Sequence, residues 1–357
     1  MIEAAYDGMN HGPVDGRQVG FARWRSELPS GGNRYDDRLT AGLRELGFDL
    51  REYPVTGAWP LPEEEDRRAL TDLLTGERHW LIGNIVASAV PEAIAAAAQA
   101  GARVTVLMHY FPADDPAGSP AEREQLAASE ARAVAAATAV VVPSAWAAEA
   151  VATRYGRGDA IIAVPGVEPA ERATGSAPTG DPPMLLWLGR LTRTKDPLTF
   201  VEALIRIQDL DWSARLVGPD TVDEDLSRQL RSRISDAGLT ARIAVPGSQR
   251  GDVIESTWAQ TDLLVHTSKA ETYGMVISEA LAHGIPSIVP SGTGAVDAQQ
   301  VGAMFKPGNV DELERLLRGW LSDRHLQERW RADAAGRRSQ LPTWAATARI
   351  VASALAR

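Results

Sequence analysis

Cysteine is absent from the 357 residues. Its absence excludes disulfides, thiolate metal sites, iron–sulfur clusters and a cysteine nucleophile, and it fits a reducing cytoplasm. No window reaches the ~18 apolar residues that span a bilayer, and the opening MIEAAYDGMNHGPVDGRQVG has no apolar h-region. The chain is therefore expected to be soluble, unprocessed and cytoplasmic, with no transmembrane segment. Positive charge is also scarce: 37 Lys and Arg stand against 47 Asp and Glu, for a net charge of −10. That balance opposes non-specific attraction to nucleic acid or an anionic membrane, while leaving room for a local basic site. No Gly-x-Gly-x-x-Gly fingerprint follows a predicted strand, which weighs against a NAD-dependent oxidoreductase.

What the chain does have is an ordinary globular composition, 44% hydrophobic and 24% charged. Its length points to two domains, and so to a cleft between them. Short β-rich apolar runs alternate with helical periods, the pattern of parallel sheets covered on both faces. Strands are predicted over 80–85, 103–109, 139–142 and 160–164, with helices over 34–46, 91–99, 121–137 and 145–155. The best first strand is 18–24, although Arg23 interrupts its apolar run and Arg25 follows it. Residues 171–183 (ERATGSAPTGDPP) read as a flexible connection. A second series follows, with strands over 184–188, 214–217, 242–245, 262–266 and 286–289. The fold class expected is α/β with two Rossmann-like domains, 1–170 and 171–342. A final amphipathic helix over 343–357 is expected to pack back on the first domain.

Three segments carry chemistry. The first is ETYGMVISE, Glu271 to Glu279, where two carboxylates bracket a helix start. Gly274 lacks a Cβ, so nearby amides can approach a diphosphate, whose charge the helix dipole favours. Carboxylates accept paired hydrogen bonds, so Glu279 suits ribose hydroxyls and Glu271 those of a transferred sugar. A surface loop and a solvated helix would look similar. The second segment is LGRLTRTKDP, in which Gly189 and a basic loop follow a strand and Asp196-Pro197 opens a helix as N-cap and first residue. Arg190 and Lys195 there can neutralise a leaving diphosphate without a metal; Arg193 reads as solvated. The third is Ser30-Gly31-Gly32-Asn33 before a helix, equally readable as a phosphate approach or a plain turn. Asp114-Asp115 invites a metal reading, but Pro112 and Pro116 favour a turn.

In their order along the chain, SGGNRY, VVPSAW (141–146), LGRLTRTKDPLTFVEAL, LVGPD (216–220) and two glutamates with seven residues between them resemble the family 4 retaining glycosyltransferases. The likeness covers nearly everything after about residue 28 and is strongest over 184–290. It implies the GT-B fold, two facing Rossmann-like domains. It makes Arg190 and Lys195 diphosphate contacts, Glu279 the ribose contact and Glu271 the sugar contact. Tyr273, Gly274 and Met275 lend backbone amides, and Gly31 and Gly32 face the diphosphate from the other domain. His109 matches a position near the donor sugar. The chain departs from the pattern in SGTGAVDA (291–298), where relatives carry Gly-Gly-x-x-Glu, so that Asp297 takes the glutamate's place.

The reaction this implies is transfer of a sugar, with retention, from a nucleoside-diphosphate sugar to a hydroxyl acceptor. No cofactor and no metal are required, and the domains close to exclude water. Trp59, Tyr110 and Phe111 could form an apolar acceptor wall, or merely pack. A nucleotide-sugar 2-epimerase or a sugar phosphorylase shares the architecture, as does a non-catalytic nucleotide-binding partner of another glycosyltransferase. Intact Arg190, Lys195, Glu271 and Glu279 oppose the last of these.

Overall fold

A computed structural model describes residues 17–25, 30–114 and 118–356; the expectation for the chain's opening and that for Asp115 lie outside them. Two six-stranded sheets are present, and every strand pair in them is parallel. The first contains β1 (Gln18–Trp24), β2 (Asp49–Val55), β3 (His79–Gly83), β4 (Arg103–Leu107), β5 (Ala139–Val142) and β6 (Ile161–Ile162), ordered β2-β1-β3-β4-β5-β6. The second contains β7 (Met184–Leu188), β8 (Ser213–Val217), β9 (Ile243–Gly247), β10 (Leu263–Val265), β11 (Ser287–Pro290) and β12 (Gly302–Phe305), ordered β12-β11-β10-β7-β8-β9. The second order is that of the Rossmann fold, and the first is flavodoxin-like. In both, the direction of winding reverses beside the first strand, at β1/β3 and at β7/β10. A crevice opens there at the carboxyl ends of the strands.

Apolar runs such as HWLIG and MLLWL form inner strands because helices cover both their faces. β1 has a special reason for glycine: a Cβ on Gly20 would lie 2.5 Å from the Trp80 ring of the paired β3. Two strands escape the sequence pattern. β2 carries Arg51, Glu52 and Pro54, tolerated because it is an edge strand. β12 has only four residues, on the opposite edge of its sheet. The strand expected over 160–164 shrinks to two residues ahead of Pro165. That expected over 80–85 stops at Gly83, where the chain turns into a short helix, Asn84–Ala87.

The helix Gly31–Glu45 begins three residues earlier than expected, because Ser30, in extended conformation, caps it by accepting from the Asn33 amide at 3.1 Å. Gly31 and Gly32 therefore form its first turn rather than a loop before it. The last helix, Trp344–Ala356, packs on this one. Its Ala348 lies so near Gly42 that a Cβ there would come within 2.6 Å, and Thr347 Oγ1 donates to Val164 O at 2.7 Å.

Candidate active site

One wall of the cleft is built where β7 and β10 end. The loop after β7 folds back on β8 through Gly189 N to Val217 O (3.0 Å) and Leu191 N to Pro219 O (2.9 Å). These contacts leave Arg190 lining the cleft, with no ion-pair partner among the described residues. Asp196 opens the helix Pro197–Arg206 from a left-handed conformation, φ 50. It caps no backbone amide, contrary to its sequence reading: its carboxylate accepts from Thr199 Oγ1 at 2.6 Å and pairs with Lys269 at 3.2 Å. Lys269 N also donates to Thr194 O at 2.8 Å, tying the basic loop to the segment that leads to Glu271. Arg193 is exposed and pairs with Asp223 at 3.4 Å.

Lys195 Nζ lies 2.5 Å from Glu271 Oε2. Burial alone would raise the Glu271 carboxyl, but the Lys195 ammonium and neighbouring His266 hold it well below the usual carboxylate range. Buried His266 is itself pushed down by burial. Its Nε2 is 3.3 Å from Glu271 Oε2 but lacks hydrogen-bond geometry. After Thr272 and buried Tyr273, Gly274 at φ +86 opens the helix Met275–Ala282. A Cβ at Gly274 would meet Ile277 at 2.7 Å, so the turn needs glycine on both conformational and packing grounds. No side chain caps that helix; Ile277 N donates to Gly274 O at 2.9 Å, which leaves the amides of Met275 and Val276 for an anion. Glu279 follows one turn on, half-buried and ion-paired with Arg34 from the facing lobe. Burial pushes the Glu279 carboxyl up against the pull of Arg34.

The opposite wall gathers the ends of β1, β3 and β4 with the Gly31 helix. His109 lies just past β4, held by both backbone polar groups and by one ring nitrogen. Its N–H donates to Asn84 Oδ1 (3.1 Å), its carbonyl accepts from Thr272 Oγ1 (2.6 Å), and Nε2 sits 2.7 Å from Asp36 Oδ1. Gly31 and Gly32 face Met275 and His109 respectively, at ordinary contact distances for an added Cβ, 3.4 Å and 3.6 Å. Neither position needs glycine for packing within the protein. Trp59 and Phe111 touch the cleft but are buried, the first donating to Thr56 O and the second lying under Arg154. Asp114 forms a double hydrogen bond with Arg154 (2.8 and 3.0 Å), in a short 3-10 turn.

The cleft encloses about 1060 Å³ and is lined by every residue expected to bind the donor or act on it, from Gly31 and Gly32 through His109, Arg190 and Lys195 to Glu271 and Glu279, but not by Asp196 or Asp297. A smaller cavity of about 100 Å³ adjoins it, lined among others by Arg23, Asp36, Asn84, His109 and Arg190. The lobes also meet through Ser144 Oγ to Thr272 O (2.6 Å) and Trp146 N to Asp297 Oδ2 (2.7 Å). Asp297 thus holds the backbone of the VVPSAW segment. Sequence reasoning missed His266, Arg34 and Asp36; the signal for that region was buried Arg23, a charge out of place in a strand.

Residues 171–337 match the family described as glycosyl transferases group 1. D-inositol 3-phosphate glycosyltransferase 1 of Catenulispora acidiphila is 27% identical over 249 residues, 63% of this chain and 57% of that protein. Sulfoquinovosyl transferase SQD2 of Arabidopsis thaliana is 29% identical over 159 residues, 42% of this chain and 29% of that one. Across the first curated relatives it matches, the chain spans from about a quarter to under three-fifths of their length. Sucrose-phosphate synthase from Thermosynechococcus elongatus superposes with a TM-score of 0.78 at 18% identity, covering 94% of this chain and 98% of that structure. Anabaena HepE, solved in complex with UDP-glucose, gives 0.73 at 18% identity, covering 95% and 99%.

With two facing doubly wound sheets and a cleft at both winding reversals, the protein has the GT-B fold. Over residues 171–337 it is similar to the group 1 glycosyltransferases.

Proposed function

We propose that the protein is a retaining glycosyltransferase that moves a sugar from a nucleoside-diphosphate sugar to a hydroxyl acceptor without a metal. Residues 171–342 would hold the donor, and residues before 171, with the last helix, would form the facing lobe. One observation carries the reading. The uncapped helix start after Gly274 opens into the cleft beside Arg190 and the Glu271-paired Lys195, with Glu279 one turn further along. Amides and two cations are what a diphosphate needs, and a carboxylate at that spacing suits a ribose. HepE, of the same fold, was solved with UDP-glucose.

In this reading the arriving diphosphate draws Lys195 away from Glu271, whose freed, ionised carboxylate then accepts hydrogen bonds from the sugar. The bond from the anomeric carbon to phosphate oxygen breaks with its electron pair going to the diphosphate, stabilised by Arg190, Lys195 and the amides. The acceptor oxygen bonds to the same face, and its proton passes to the departing phosphate oxygen. Thermal shifts with UDP, GDP, ADP and dTDP test the assignment: one of them should raise the unfolding midpoint by mass action, and no shift from any would refute it. NMR of the product's anomeric configuration, with and without EDTA, tests retention and metal independence.

A further inference from the structure

His109 is tied to the N-terminal wall through its backbone and one ring nitrogen, and its imidazole is held by a group that nothing in the sequence motifs assigns. Asp36 lies in the second turn of the Gly31–Glu45 helix, its side chain 6% exposed, with Oδ1 2.7 Å from His109 Nε2. Behind it stands Arg23, equally buried at the end of β1, whose Nη1 is 3.9 Å from Asp36 Oδ2. Arg23 also binds Asp37 at 2.8 Å and Glu52, so a single buried guanidinium balances several carboxylates. The Tyr35 ring meets the imidazole edge-on, 4.8 Å between centroids, and prevents it from swinging. Among the described residues nothing engages the other ring nitrogen, Nδ1, and the His109 side chain remains 15% exposed where it lines the cleft.

We infer that Asp36 is the positioning residue for His109: it takes the Nε2–H of a neutral imidazole and leaves Nδ1 as a fixed hydrogen-bond acceptor at the cleft. An ionised carboxylate can only accept, so Nε2 must carry the hydrogen, and a neutral ring then has a lone pair on Nδ1. Arg23 stands as a buried counter-charge behind Asp36, which accounts for a charged residue at the next-to-last position of β1. The same logic fixes the imidazole in hydrolytic Ser-His-Asp sites, where the carboxylate selects the tautomer. Resting on the glycosyltransferase reading, the inference extends to the substrate. The group that meets His109 is a hydroxyl, which can donate to Nδ1, and not a carboxylate, which cannot donate and would face Asp36 beyond the ring.

The test uses the full chain labelled with ¹⁵N-histidine at about pH 8.5, above the ordinary imidazole range. Long-range ¹H–¹⁵N correlations report the tautomer, and His109 is assigned by its loss in His109→Gln. Wild-type His109 should show hydrogen on Nε2 only. Hydrogen on Nδ1, alone or on both nitrogens, overturns the inference without any variant. Asp36→Asn should move the population toward Nδ1–H and lower kcat about ten- to a hundredfold, with KM for the donor and the nucleotide thermal shift nearly unchanged. Asp36→Glu should restore the wild-type tautomer. An unchanged tautomer in Asp36→Asn, or a changed one with unaltered kcat, also overturns it. The tautomer is read on unliganded protein, so failure of any nucleotide to bind would defeat the glycosyltransferase assignment and leave the Asp36 result to stand or fall separately.

Discussion

The two walls of the cleft are built on different plans. The C-terminal wall is local: Gly189, Arg190 and Lys195 lie within one loop, and Glu271 to Glu279 within another and the helix it opens, both at the β7/β10 reversal. The N-terminal wall is assembled from distant pieces. Arg23, Asp36, Asn84 and His109 come from four separate stretches of chain and meet through their side chains and the His109 backbone. Glycine shows the same contrast. Gly274 is required by the fold, with φ +86 and a would-be clash at 2.7 Å, whereas Gly31 and Gly32 sit in a helix with ordinary space around them. The C-terminal wall is shaped to present backbone to an anion. The other wall leaves room at its glycines for something the protein itself does not fill.

The most damaging change should be on the C-terminal side. Lys195→Ala should lower turnover of the donor by about 10²- to 10³-fold, the scale for removing one donor aimed at developing charge; steady-state kcat measures it. A loss below about threefold would mean that the leaving group is stabilised elsewhere.

The next effect separates the two lobes by pH. Burial pushes the Glu130 carboxyl up to about 7, against hydrogen bonds from Tyr155 and Asn84 that lower it. Glu271 is held low and remains ionised over the same range. Between the ordinary value of 4.5 and about 7 the folded chain keeps a proton on Glu130 that the unfolded chain releases. Its contribution to stability is therefore greatest below pH 4.5 and falls as pH rises to about 7, by on the order of 3 kcal/mol at most. Glu130→Gln should flatten that slope in urea midpoints taken at about pH 5 and 8. An identical slope in the variant would show that Glu130 titrates normally.

Glu279→Ala should weaken nucleoside-diphosphate binding about ten- to a hundredfold, the scale of lost hydrogen bonds to a charged group. Calorimetry reads this directly, and unchanged affinity would place the ribose elsewhere. Glu271→Ala should impair sugar transfer more than nucleotide binding. The smallest effect contrasts the glycines. Gly32→Ala should keep or raise the unfolding midpoint, by up to about 1 kcal/mol from helix propensity, while reducing nucleotide affinity. Gly274→Ala should lower the midpoint by about 1–3 kcal/mol. If both variants behaved alike in stability, the two walls would not differ as described.

Legibility in the sequence follows the same division. The parallel α/β character and the acidic and basic segments of the C-terminal wall could be read directly, because each is a contiguous run whose spacing fixes its geometry. Strand β2 could not, since Arg51 and Pro54 look unlike a strand until its place at the sheet edge is known. The start of the Gly31 helix was placed too late because glycine disfavours helix interiors, whereas here the Ser30 cap decides. Asp196 looked like an ordinary N-cap, yet its carboxylate is drawn to Thr199 and Lys269. Asp297 had no readable role until it met the Trp146 amide of the other lobe.

By itself the sequence determined the periodicities that make two parallel sheets, the glycine that turns the chain after Tyr273, and the charges held within single loops. Those features depend on neighbours a few residues away, whose relative positions the backbone dictates. The tertiary structure alone decided that Arg34 reaches Glu279, that Thr272 holds the carbonyl of His109, and that Arg23 and Asp36 stand behind its ring. Such pairings depend on how strand ends and helices are brought together across the winding reversals, and residues far apart in the chain carry no local mark of the partner they will meet.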